Sequence, residues 1–161
     1  MQPPHSPQPY HICIVDEDAQ FRALFRQILQ ARGYIVWDVP DGPAALDLIA
    51  TSPHRLVVVL AQSISEQDSL FVFSAALADA SLAQYHAYLL LSVAPRLSPT
   101  LEALISILKV SVITHPENLQ GVLKRIGQLA RRLEARRQSC CRRAQKTAML
   151  KAAPRFRFQN T

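Results

Sequence analysis

The chain has 161 residues, 49% of them apolar, and a net charge of +6; this length favours one domain with tails, and this apolar share excludes disorder throughout. No apolar run reaches the about 18 residues that a membrane span needs, and the opening MQPPHSPQPY has neither the basic nor the apolar region of a secretory leader, so a cytoplasmic location is expected. Three cysteines, Cys13 in an apolar run and Cys140 with Cys141 in a basic one, form neither a disulfide framework nor a zinc spacing.

Residues 1–9 hold four prolines and read as a flexible lead. His11 to Val15 is an apolar run of the kind found in a strand buried on both faces, and it stops at Asp16-Glu17-Asp18. Asp18 is placed to cap a helix, whose stripe is Phe21, Leu24, Phe25, Ile28 and Leu29; Gly33 ends it in the left-handed region. Tyr34 to Val39 reads as a second strand. Pro40-Asp41-Gly42-Pro43 is a turn with proline at a helix start, and the helix through Ala45, Leu46, Leu48 and Ile49 ends near Thr51. Leu56 to Leu60 is the third and most apolar strand. Gln62 to Asp68 reads as a loop, and Ser69 to about Leu82 as one helix burying Leu70, Phe71, Phe73 and Leu77. Tyr88 to Leu91 is a fourth strand. Ser98-Pro99 starts another helix through Leu101, Leu104, Ile105 and Leu108. Val110 to Ile113 is a fifth strand, and from Asn118 a last helix keeps its apolar period through Leu119, Val122, Leu123, Ile126, Ala130 and Leu133.

Five β-α alternations predict a parallel sheet with helices on both faces. Functional groups of such sheets gather at the carboxyl ends of the strands, where this chain has Asp16-Glu17, Leu60, Ser92 and His115. Charge is unevenly spread. Residues 1–123 carry 6 basic and 11 acidic side chains, and residues 124–161 carry 12 basic and 1 acidic, a neutral-to-acidic domain with a basic appendage.

From His11 to about Arg132 the chain resembles the receiver domain of bacterial response regulators. Ile14-Val15-Asp16-Glu17-Asp18 is similar to the acidic motif after strand one. Gly33-Tyr34-Ile35-Val36 and Asp41-Gly42-Pro43-Ala44-Ala45-Leu46 are similar to the second strand and its turn, and His115-Pro116 falls where the family has a lysine and a proline. The resemblance implies a flavodoxin-like, five-stranded parallel sheet of order 2-1-3-4-5, with about five helices. It also implies a pocket in which a carboxylate ending strand three accepts a phosphoryl group, two acids after strand one hold Mg²⁺ with it, and a hydroxyl and a lysine follow strands four and five. Here Asp16 and Glu17 remain, and Ser92 supplies the hydroxyl. Leu60 stands at the acceptor place (Val59 with a one-residue slip), His115 at the lysine place, and Val112 where the family has its switch aromatic. Two carboxylates without an acceptor make a poor Mg²⁺ site, since magnesium also leans on phosphate oxygens, so no cofactor is expected. Asp68, eight residues past Leu60, reads as a cap or a solvated side chain.

Arg131, Arg132, Arg136, Arg137, Arg142, Arg143, Lys146, Lys151, Arg155 and Arg157 form a basic cluster. It fits sequence-tolerant nucleic-acid binding, an anionic membrane surface or a solvated helix extension. No triad, P-loop or dinucleotide loop appears, so no enzyme activity is expected. The division expected is a lead (1–9), a receiver-like domain (10–133) and a basic tail (134–161). The function expected is phosphorylation-independent protein binding in two-component-like signalling, through the surface of the fourth helix, fifth strand and fifth helix that the resemblance implies. The alternative is a nucleic-acid-associated regulator acting through the tail; a homodimer stays open.

Overall fold

The computed structural model describes residues 9–61, 64–94, 96–114 and 116–152. Along the chain run β1 (His11–Val15), α1 (Ala19–Ala31), β2 (Ile35–Val39), α2 (Gly42–Thr51), β3 (Leu56–Leu60), α3 (Glu66–Ala78), α4 (Ala80–Tyr85), β4 (Ala87–Ser92), α5 (Pro99–Leu108), β5 (Ser111–Thr114) and α6 (Leu119–Ala152). The five strands make one sheet of order β2-β1-β3-β4-β5, with every neighbouring pair parallel. This is the predicted sheet.

Alternation along the strands divides the core in two. Ile12, Ile14, Val57, Val59 and Leu89 face one way, under α1 and α6, with Phe25, Leu29, Val122 and Ile126. Cys13, Val15, Val58, Leu60 and Leu90 face the other way, under α2, α3 and α5, with Ile49, Phe73, Leu101 and Leu104. Each fully buried side chain of this size contributes roughly 1.5–3 kcal/mol, so the two apolar layers fix the sheet between its helices. Burial also pushes the Cys13 thiol up to about 12, which keeps it an inert core group.

The expected helix ends hold. The Asp18 carboxylate accepts the N–H groups of Gln20 and Phe21 at 2.9 and 3.2 Å, Asp41 accepts that of Ala44, and Ser98 that of Leu101. Gly33 has φ +87° after α1.

Several expectations are corrected. There are six helices among the described residues, because the single helix expected over 69–82 is two. Ser65 starts α3 early by accepting the Asp68 N–H. The extended backbone of Asp79 (φ −119°) then ends α3 and caps α4, its carboxylate holding the Ser81 N–H and hydroxyl. Leu24, at the margin of its stripe, is 58% exposed, and Phe71 and Leu77 lie outward while Val72 and Ala76 face the core. Apart from these corrections, α6 is one helix from Leu119 to Ala152 whose buried face stops at Leu133.

Candidate functional site

The carboxyl edge of the sheet is built around the end of β1. Asp16 is fully buried there, and one of its carboxylate oxygens accepts the Asp18 N–H at 2.8 Å. Its own N–H donates to the Val39 carbonyl at 3.2 Å. Glu17 and Asp18 are exposed, and Asp18 is occupied as the α1 cap. The three adjacent acids therefore diverge.

Strand register corrects the place of Leu60. Val15 is paired with Leu60, and the Ala61 N–H continues the ladder to the Val15 carbonyl at 2.9 Å. Asp16 is therefore level with Ala61. Because successive strand side chains point to opposite faces, Leu60 packs into the layer under α2, α3 and α5, and Ala61 belongs to the layer that Ile14 shares. Leu60 is core, not the centre of the pocket. Neither it nor Ala61 offers an oxygen.

An arginine braces this edge. The Arg22 guanidinium donates to the main-chain carbonyls of Asp16 and Glu17 at 2.6 and 3.2 Å and pairs with the Asp38 carboxylate at 3.1 Å; Arg26, one turn further along α1, pairs with the same carboxylate. The turn after β1 is thus tied to β2 by charge-assisted bonds. Sequence reading missed Arg22, Arg26 and Asp38. The available signal was an aspartate inside an otherwise apolar strand and two arginines four apart on the following helix face.

Ser92 is buried at the end of β4, where its hydroxyl accepts the Ala94 N–H at 3.2 Å. It is level with Thr114 of β5. Val112 is half-buried and level with Leu90, below this edge. His115 lies outside the described residues, so its expected role at the lysine place stands only as an expectation.

The donor set does not fit Mg²⁺. The ion prefers near-octahedral oxygen ligation, yet the edge offers buried Asp16, already bonded to backbone, exposed Glu17, and the apolar pair Leu60-Ala61. Among the described residues no group of three or more His, Cys, Asp or Glu is placed to hold a metal ion. Asp68 sits in the first turn of α3 and packs against Gly42, where an added Cβ would meet its carboxylate at 3.1 Å.

The predicted basic residues lie elsewhere. Arg131, Arg132, Arg136, Arg137, Arg142, Arg143 and Lys146 are all exposed on α6, which leaves the sheet at its amino edge, where Leu133, Glu134 and Arg137 share a cavity with Pro9 and Arg55. Arg137 holds the Glu134 carboxylate at 2.7 Å, and that bond keeps the Glu134 carboxyl below its usual range. Among the described residues no helix is long and apolar enough to cross a membrane. The same edge holds a further residue that sequence reading missed. The His86 ring is buried, accepting the Leu56 N–H at Nδ1 (3.0 Å) and bonding through Nε2 to the Ile49 carbonyl at 3.1 Å. Both bonds are satisfied by the neutral ring protonated at Nε2, and burial pushes its pKa down to about 4.

Compared by sequence, the chain matches no protein-family model and no curated protein. Compared by structure, it is similar to a CheY-like response regulator receiver domain from Methanospirillum hungatei, at 23% identity and a TM-score of 0.66 over 78% of this chain and 97% of that one. It is also similar to the signal receiver domain of an HD domain-containing protein from Pseudomonas fluorescens, at 18% identity and a TM-score of 0.65 over 80% and 99% of the two chains. A structure described as adenylate cyclase from Rhodopirellula baltica matches at 19% identity and a TM-score of 0.64, over 90% of this chain and 99% of that one. The chain has the receiver-domain fold.

Proposed function

We propose that this chain is a receiver-like module that has lost its phosphoacceptor and acts by binding a protein partner, independently of phosphorylation, in two-component-like signal transduction. The observation that carries the reading is the end of β3, where Ala61 is level with buried Asp16 and neither it nor the preceding Leu60 can accept a phosphoryl group. The remaining features agree with it. Asp16 and Ser92 bond to nearby backbone, and Arg22 holds the β1–α1 turn to β2. A phosphorylation switch needs a local charge event that biases a bistable element, and this edge has no carboxylate at the end of β3 to receive one.

The binding surface in this reading is α5, β5 and the sheet-packed part of α6, the counterparts here of the fourth helix, fifth strand and fifth helix. Fold likeness alone carries no function, so the reading stands or falls on chemistry. Incubation with acetyl phosphate and Mg²⁺, followed by intact-mass analysis, should leave the mass unchanged. A gain of one phosphoryl group that hydroxylamine removes would refute it.

A further inference from the structure

We propose that the groove at the amino edge of the sheet docks an acidic peptide segment of a partner protein that carries large apolar side chains. This deepens the reading of the chain as a binding module and rests on it. The groove encloses about 850 Å³ between α4, the C-terminal end of α5 and α6, over the start of β4. Four cations line it, Arg55, Lys109, Arg132 and Arg136, and none of its described lining residues is Asp or Glu.

Its own acids do not neutralise it. The ion pairs among the described residues are Arg22–Asp38, Arg26–Asp38 and Arg137–Glu134, so Lys109, Arg132 and Arg136 form none there. Asp79, next to the groove in sequence, is engaged as the α4 cap. Arg55 stacks over Tyr85 at 4.5 Å and, after Arg137, helps to lower the pKa of Glu134, which leaves the other three as the free charge. Arg132 and Arg136 are four apart on α6 and share one face. Lys109 occupies the left-handed cap of α5 (φ 54°), a position that glycine fills with less strain; here it carries a cation.

The walls are apolar as well as cationic. Ile107 is 61% exposed and Leu77 43% exposed, and both line the groove with Leu129 and Leu133 behind them. A nucleic-acid backbone would meet the charges but leave Ile107 and Leu77 in water. A peptide with carboxylates flanking Leu, Ile, Phe or Met satisfies both, as protein interfaces combine an apolar centre with a polar rim. Residues 1–8 and 153–161 contain no Asp or Glu and are not such a segment.

The test is a random-peptide display selection against the full chain at about 0.15 M salt, with selected peptides titrated against wild type, the Arg132→Glu/Arg136→Glu double variant and Ile107→Ser. Both variants change exposed side chains, and thermal melts check that they fold. The expected result is enrichment of peptides combining Asp or Glu with large apolar residues, each losing affinity by at least about tenfold in both variants. Selected peptides without acids, or unchanged binding by either variant, would overturn the proposal. Displacement of the peptides by random-sequence duplex DNA that binds Ile107→Ser as tightly as wild type would overturn it too, and assign the arginines to nucleic acid. A phosphoryl gain in the mass assay would fail the parent reading without changing any of these outcomes.

Discussion

The two edges of the sheet are built from opposite materials. At the carboxyl edge the polar groups turn inward: Asp16, Ser92 and Arg22 bond to backbone within a few residues or to a neighbouring strand, and the end of β3 is apolar. At the amino edge buried His86 stitches β3, β4 and the end of α2 together, the rings of His11 and His54 stack at 4.0 Å, and of the four cations lining a groove Lys109, Arg132 and Arg136 form no ion pair among the described residues. Parallel α/β sheets place their chemistry at the carboxyl edge. Here Asp16, Ser92 and Arg22 are held by bonds within that edge, while Lys109, Arg132 and Arg136, which form no ion pair among the described residues, lie at the other. The same architecture thus carries bonded polar groups at one edge and cations without ion partners, among the described residues, at the other.

The sharpest way to break this comparison is to return a carboxylate to the end of β3 at each of two neighbouring positions. Leu60→Asp buries a charge in the layer under α2, α3 and α5 and should cost more than about 4 kcal/mol, with Mg²⁺ giving no relief. Ala61→Asp places the charge level with Asp16 and should cost less, about 2–3 kcal/mol, with Mg²⁺ recovering part of it. Chemical denaturation with and without Mg²⁺ reads both, and equal costs with equal Mg²⁺ response would undo the register argument.

His86 tests the amino edge next. Its pKa is lowered to about 4 in the fold from 6.5, so the folded state favours the neutral ring. Its contribution is complete above pH 6.5 and is lost as the pH falls through that value toward 4, by at most roughly 3–4 kcal/mol at roughly 1.4 kcal/mol per pH unit. His86→Gln should be less stable at pH 7 and should flatten this slope. A wild-type slope that the variant retains would place the titration elsewhere.

Asp38→Asn probes the brace at the carboxyl edge. It removes charge from two part-buried ion pairs and should cost about 1–2 kcal/mol, reduced when Arg26 is already alanine. The smallest effect belongs to the tail. Deleting residues 134–161 removes no buried side chain of α6 and should change stability by less than about 1 kcal/mol, while lowering the salt-dependent affinity for any polyanion. A large loss of thermal stability would mean that the extension packs on the domain.

The sheet was legible in the sequence because five apolar runs are separated by capped, periodic helices whose end signals act locally. What was not legible depended on tertiary placement. Leu56 to Leu60 is buried on both faces, so the run shows no alternation, and only pairing with β1 reveals that Ala61 and not Leu60 is level with Asp16. The Asp79 break was missed because its apolar flanks read as one helix. Arg22 and Asp38 meet across 16 residues, and His86 meets partners 30 and 37 residues away, distances over which sequence pattern carries no contact information.

The central claim is that the carboxyl edge cannot take up a phosphoryl group, and intact-mass analysis of the wild-type chain after exposure to acetyl phosphate and Mg²⁺ tests it most directly. The account predicts a single species of unchanged mass. A hydroxylamine-labile species heavier by one phosphoryl group, retained when Asp68 is replaced by asparagine and lost when Asp16 is, would contradict it by placing a working acceptor at this edge.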